Sequence, residues 1–151
     1  ASAVIALFDA TIERLVALAV LMPIVASMGG NAGTQTVTVA VRALALRQID
    51  RDAASGFVQR ELLVAVLNGC VFAFLAASMS YLWFKDADIA TVMAVAMFAN
   101  LVVAGLSGTI VPLGLVRAGV DPAVASSVLI TTITDVVGFF VFLGLAALYL
   151  M

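Results

Sequence analysis

The sequence contains no histidine, a single cysteine and few charged residues, which make up only 11% of its 151 positions. Without histidine, and with Cys70 alone, it lacks the ligands of most zinc and copper sites and the nucleophile–base pairs of most hydrolases. The formal net charge is −2 and no basic run is present, so nucleic-acid binding has no electrostatic basis. We therefore predict that the chain is not an enzyme and that any metal ion it binds is held by oxygen.

Hydrophobic residues, by contrast, make up 65% of the chain, more than a soluble domain of this length can bury. A bilayer removes this difficulty, because each transmembrane helix satisfies its own backbone groups in an apolar solvent. At about 20 residues per crossing, the length allows four to five spans and leaves no room for a sizeable soluble domain. The predicted fold class is all-α, a polytopic bundle of transmembrane helices in a multi-pass protein of the inner (plasma) membrane.

Charged and turn-forming stretches divide the sequence into four long segments. These run over about 9–47, 53–84, 89–116 and 122–150. Residues 1–8 are mostly apolar and are expected to be the tail of a preceding span. Most arginines lie at the ends joined by loops 47–52 and 117–121, so the positive-inside tendency makes these two loops cytoplasmic. Asp121 is a candidate N-cap of the last helix, with Pro122 in its first turn.

The first long segment contains the residues most expected to disturb a helix. Pro23 removes one backbone hydrogen bond, and Gly29, Gly30 and Gly33 follow within ten residues of it. We therefore predict a structural break near residues 28–33, which in a membrane requires protein or a water-filled cavity to satisfy the freed backbone. The alternative is that the glycines allow close packing against a neighbouring helix.

Asp135 is the residue that most strongly indicates a function. It lies about midway along the fourth segment, where an ionised carboxylate costs about 2.5–3.5 kcal/mol on insertion scales. That segment contains no lysine or arginine, so the expected partner is a mobile cation or a proton. The alternative is a protonated aspartic acid that only hydrogen-bonds a neighbouring helix.

Polar residues extend from Asp135 along one predicted helical face, and a second stripe runs along the first segment. At about 100° per residue, the stripe of the fourth segment consists of Ser127, Thr131, Thr134, Asp135 and Gly138. The stripe of the first segment consists of Ser27, Asn31, Thr34, Gln35 and Thr38. Two such stripes together could line a pore. Serine and threonine also bond to their own helix, so each stripe alone has a local explanation.

A hard divalent cation fits a site made of one carboxylate and several neutral oxygens. Mg²⁺ prefers oxygen ligands, keeps several waters and is usually bound by one or two carboxylates. In a symmetric homodimer, two copies of Asp135 would match the charge of the ion, which points to Mg²⁺ passage through a pore at the dimer axis. Two other functions stay open: a proton-coupled divalent-cation antiporter, and a non-conducting scaffold subunit in which the glycines and Asp135 serve only packing. The residues do not decide between channel and carrier, or between Mg²⁺, Mn²⁺ and Co²⁺.

Several motifs resemble the signature of the MgtE family of magnesium channels and transporters. They are residues 21–36 (LMPIVASMGGNAGTQT), 41–45 (VRALA), 119–123 (GVDPA) and 131–138 (TTITDVVG). Together these motifs are specific, and the resemblance extends over nearly the whole chain.

The resemblance implies a homodimer with five membrane helices per subunit and a pore at the dimer axis. It makes Asp135 the central Mg²⁺-binding residue and places Asn31, Thr34 and Thr131 along the ion path. Ser127 stands where some relatives have asparagine. Family members also carry cytoplasmic regulatory domains that close the pore at high Mg²⁺. On this basis, residues 1–151 are the transmembrane pore domain, in which the first family helix is missing or only a remnant at 1–8.

Overall fold

Helices account for nearly all of the residues that the structure, a computed structural model, describes, namely 1–14, 16–49 and 54–150. Two short helices come first and four long ones follow. They are α1 (Ser2–Leu7), α2 (Asp9–Arg14), α3 (Val16–Ala45), α4 (Ala54–Phe84), α5 (Ala87–Arg117) and α6 (Pro122–Tyr149). Each of the four long helices contains a stretch long and apolar enough to cross a bilayer. The all-α class and the four spans are therefore confirmed, with boundaries within a few residues of the prediction except at the start of α3.

Aspartate side chains cap the N-termini of the last two helices, α5 and α6. The Asp121 carboxylate accepts a hydrogen bond from the Ala123 backbone N–H at 2.9 Å, and Pro122 opens α6, as predicted. Asp86 caps α5 in the same way by accepting from the N–H groups of Asp88 and Ile89. These caps satisfy backbone donors that the first helical turn leaves unpaired. Because α6 begins at Pro122, only residues 118–121 connect it to α5, and the two helices pack side by side.

The predicted break in the first long segment is not present. α3 continues as one helix from Val16 to Ala45, with Pro23 and all three glycines in its interior. The glycines instead lie where neighbouring helices come close: a Cβ added at Gly29 would overlap the side chain of Asn100, and one added at Gly33 would overlap that of Ile130. The prediction of a break was therefore wrong, and the alternative of close helix packing is what the structure shows.

α5 is the central helix of the bundle and packs against α4, α6 and α3. Small residues allow these contacts. A Cβ at Gly105 would overlap Ala65 of α4, and a Cβ at Gly108 would lie 2.9 Å from the backbone oxygen of Gly33 in α3. Close approach of this kind is how helices associate in lipid, where no hydrophobic force drives them together. α3 also packs directly on α6 but barely touches α4, and α1 and α2 lie against α3 and α6.

We expect Gly108→Ala to destabilise the bundle, because its added methyl group would meet a backbone atom of α3 that cannot rotate away. Overpacking of this kind costs about 1–3 kcal/mol. Gly114→Ala is the matched control, since Gly114 lies in the same helix and has nothing within 4 Å of its added Cβ. The apparent melting temperature in detergent should fall for the first variant only. Equal melting temperatures would show that α3 and α5 are not packed this closely.

Candidate functional site

Asp135 lies in an open groove of about 210 Å³ between α3 and α6. The residues that line this groove are Ala26, Ser27, Gly30, Asn31, Thr34, Thr131 and Asp135. Those of α3 recur at three- and four-residue spacing, which places them on one face, and Thr131 and Asp135 are one turn apart on α6. Part of each polar stripe predicted from the sequence therefore lies along this groove, which we call the α3–α6 groove.

The carboxylate of Asp135 is half-buried and is surrounded by uncharged groups. Among the residues that the structure describes, none that lines the groove is basic, so none of them sets a fixed positive charge beside it. The other oxygen-bearing side chains that line the groove are those of Ser27, Asn31, Thr34 and Thr131. The groove thus combines one negative charge with several neutral oxygen atoms, which is a donor set for a hard cation.

The orientation of the hydroxyl group of Thr34 also favours a cation. This hydroxyl donates its hydrogen to the backbone oxygen of Gly30 at 2.8 Å. A threonine hydroxyl has one hydrogen and two lone pairs, so once the hydrogen is used only the lone pairs remain for a partner in the groove. Such an oxygen can accept from water or coordinate a cation, but it cannot donate to an anion. The bond also confirms that part of the polar stripe is satisfied by its own helix.

Two residues predicted to line the ion path, Thr134 and Gly138, lie behind the groove and not in it. The Thr134 side chain is fully buried and donates to the backbone oxygens of Ile130 at 3.0 Å and Thr131 at 3.1 Å. Gly138 is buried against Asn100. Thr134 and Asp135 are adjacent and about 100° apart on α6, and at this rotation of the helix Asp135 lines the groove while Thr134 is buried. The predicted stripe was therefore too wide.

The remaining stripe residues lie outside the α3–α6 groove. Ser127 is exposed, one turn from Thr131 toward the start of α6, and Thr38 is exposed on α3. Gln35 faces a different groove of about 160 Å³, on the α4 side of α3, which it lines with Glu61 and other residues. The stripe predicted on α3 is therefore divided between two grooves.

Asn100 is the residue at this site that sequence reasoning did not single out. Its side chain is fully buried on α5, and its Nδ2 group donates to the backbone oxygen of Val25 in α3 at 2.8 Å. Both Gly29 of α3 and Gly138 of α6 face this side chain. An asparagine near the middle of a largely apolar span was the available signal, since a buried amide in lipid requires a partner.

Two of the other grooves lack a donor set for a cation. The groove between α3 and α4 encloses about 350 Å³, but Ser80 is the only residue with a polar side chain, apart from the indole of Trp83, among those lining it. A groove of about 560 Å³ near the ends of α3 and α4 carries Arg42 and Arg60 beside Glu61, so positive charge predominates there. No cluster of three or more acidic or cysteine side chains suited to a metal occurs within 1–14, 16–49 and 54–150. The α3–α6 groove and the groove of Gln35 and Glu61 each combine one carboxylate with neutral oxygens, and the α3–α6 groove is the one that contains Asp135, the acid midway along its span.

We expect water to reach the α3–α6 groove and not the neighbouring face of α6. In a Cys70→Ala background, Thr131→Cys should react with a charged, membrane-impermeant methanethiosulfonate at least about tenfold faster than Thr132→Cys, because the reactive thiolate forms only where water is present. Thr132 is the matched control, exposed one residue further along the helix but outside the groove. Equal labelling rates would show that the groove is as dry as the lipid-facing surface.

Comparison with known proteins gives one consistent result. Residues 22–145 match the family model "MgtE: Divalent cation transporter". The chain is 34% identical over 147 residues to "Magnesium transporter MgtE" of Bacillus subtilis and 36% identical over 144 residues to the protein of the same name in Thermus thermophilus. These matches cover 97% and 95% of the chain but only 33% and 32% of the relatives. The chain thus spans about a third of their length.

Proposed function

Since the chain belongs to the MgtE family of divalent cation transporters, we propose that it is the membrane domain through which Mg²⁺ crosses the inner (plasma) membrane, with Asp135 as the ion-binding residue. The observation that carries this proposal is the half-buried carboxylate in a groove lined by neutral oxygens and by no basic side chain. The family is one of transporters and not of enzymes. Magnesium is proposed as the ion because both relatives are named as magnesium transporters.

The size of the α3–α6 groove supports passage of a hydrated ion. Its volume of about 210 Å³ is open on one side and leaves room for several waters. Mg²⁺ dehydrates reluctantly and is commonly bound with several waters retained. In such a complex the Asp135 carboxylate and the hydroxyls of Thr34 and Thr131 accept hydrogen bonds from waters of the ion, and no fully protein-made cage is needed.

Charge balance supports a homodimer as the conducting unit. One chain supplies a single carboxylate to the groove, whereas the ion carries two positive charges. A two-fold axis beside the open side of the groove would add a second Asp135 and would close the path on its exposed side. We propose that the pore lies at this axis, with α3 and α6 of each subunit as its walls. Regulatory domains on the cytoplasmic side are further proposed partners, as the resemblance implies.

We expect Asp135→Asn to lower Mg²⁺ uptake by at least tenfold when the full protein is reconstituted in liposomes. At an effective dielectric constant of about 20, a dication about 5 Å from a carboxylate gains on the order of 6 kcal/mol before desolvation, and a net loss of about 1.4 kcal/mol already changes occupancy tenfold. Asp121→Asn is the matched control, because it makes the same substitution on the same helix at an exposed N-cap where asparagine is equally favoured.

Uptake by the Asp135→Asn protein at the level of the Asp121→Asn protein would contradict the proposal. No uptake by the unaltered protein, together with stability that Mg²⁺ does not change, would instead favour a scaffold subunit. The same liposomes distinguish an antiporter, since uptake driven by an imposed pH gradient at zero membrane potential requires coupled proton movement. Replacing Mg²⁺ by Mn²⁺ or Co²⁺ in this assay measures the selectivity among divalent cations.

A further inference from the structure

Asn100 of α5 lies at a point where α3 and α6 both approach it closely. A Cβ added at Gly29 of α3 would overlap its amide group, and one added at Gly138 of α6 would lie 2.7 Å from its Nδ2 atom. The Asn100 side chain therefore occupies the space that a Cβ atom would need at Gly29 and at Gly138. The distance between α3 and α6 at this level is consequently set by the amide of Asn100.

This contact is next to the α3–α6 groove in both sequence and space. Gly29 directly precedes Gly30 and Asn31, which line the groove, and Gly138 is one turn along α6 from Asp135. Helices are stiff over one turn, so a change in their separation at Gly29 and Gly138 is carried into the groove. A shift of about 1 Å at such a contact is large for a binding site, whose groups require placement within about 0.5 Å.

The hydrogen bond of Asn100 orients α3 relative to α5, in addition to the close contact between them. Its Nδ2 group donates to the backbone oxygen of Val25, two residues before Ser27, another groove residue. The bond spans 75 positions of sequence, and it holds α3 at a fixed rotation on α5. Within the part of the chain that the structure describes, the Oδ1 atom of the same amide is buried and accepts no hydrogen bond. A residue selected only to fill this space would be apolar, because an unpaired buried oxygen is unfavourable.

We propose that Asn100 is a positioning residue for ion binding, which fixes the separation and rotation of α3 relative to α6 and thereby the arrangement of groups around Asp135. The proposal rests on the ion-binding role of the α3–α6 groove proposed above. Asn100 acts only through α3 and α6 and does not touch the ion, since its side chain is fully buried between helices and is not part of the groove lining.

The test is Asn100→Leu in the full protein, which removes the amide while keeping a side chain of similar size that lipid tolerates. Asn68→Leu is the matched control, the same substitution at an exposed position of α4 that lines the separate groove beside Gln35. We expect Asn100→Leu to raise the half-saturating Mg²⁺ concentration for uptake by about tenfold per folded protein, because a shift of α3 relative to α6 by about 1 Å moves the groups around Asp135 beyond the roughly 0.5 Å within which a binding site holds them. Asn68→Leu should leave this concentration within about twofold of the unaltered protein.

A merely structural role gives a different result. In that case Asn100→Leu lowers the apparent melting temperature without Mg²⁺ but leaves the half-saturating concentration unchanged, and the proposal is overturned. If Asn100→Leu does not fold, Asn100→Ser takes its place, because its shorter side chain also loses the bond to Val25 and leaves space between Gly29 and Gly138. An unchanged half-saturating concentration in that variant overturns the proposal equally.

The two proposals can fail separately. If Asp135→Asn transports Mg²⁺ normally, the α3–α6 groove is not the ion site and the proposed function fails. If Asp135→Asn loses uptake while Asn100→Leu has the same half-saturating concentration as Asn68→Leu, the ion site stands and only the positioning role is lost.

Discussion

The structure depends on the close approach of α3, α5 and α6 at positions that carry no Cβ atom. In lipid the apolar surfaces of helices gain nothing by leaving water, so association depends on dispersion contacts at short range and on buried hydrogen bonds. Gly29, Gly108 and Gly138 allow the helices to come close enough for such contacts, and Asn100 supplies a hydrogen bond between α5 and α3. The order of helices around α5 follows from these contacts.

The groove that contains Asp135 exists because one face of α6 packs tightly against α3 and α5, whereas the adjacent face does not. Thr134 and Gly138 face inward and complete the contact with α3 and α5. Thr131 and Asp135 lie about one turn apart on the adjacent face and remain accessible. Residues that stabilise the bundle and residues that line the α3–α6 groove are thus neighbours along a single helix, so a packing residue such as Asn100 is coupled to a groove that it does not line.

Prediction from the sequence succeeded where composition and charge were sufficient. Long apolar stretches between charged loops located the four spans, and Asp121 with Pro122 located the start of α6, because these signals are local. It failed at Gly29 and Gly33, which were interpreted as a break in α3. A glycine weakens an isolated helix, but here the space beside it is filled by a side chain from another helix, and that neighbour is not visible in the local sequence.

The sequence by itself determined that this is a membrane protein of helical spans with one carboxylate deep in the fourth span and no basic residue beside it in that span. These properties follow from residue type and spacing along the chain. Only the tertiary structure decided which polar residues share the groove with Asp135, which of them are buried behind it, and that Asn100 joins α3 to α5 between two glycines. Whether a polar residue lines the groove or is buried behind it depends on the rotation of its helix about its own axis. That rotation is set by contacts between residues far apart in sequence.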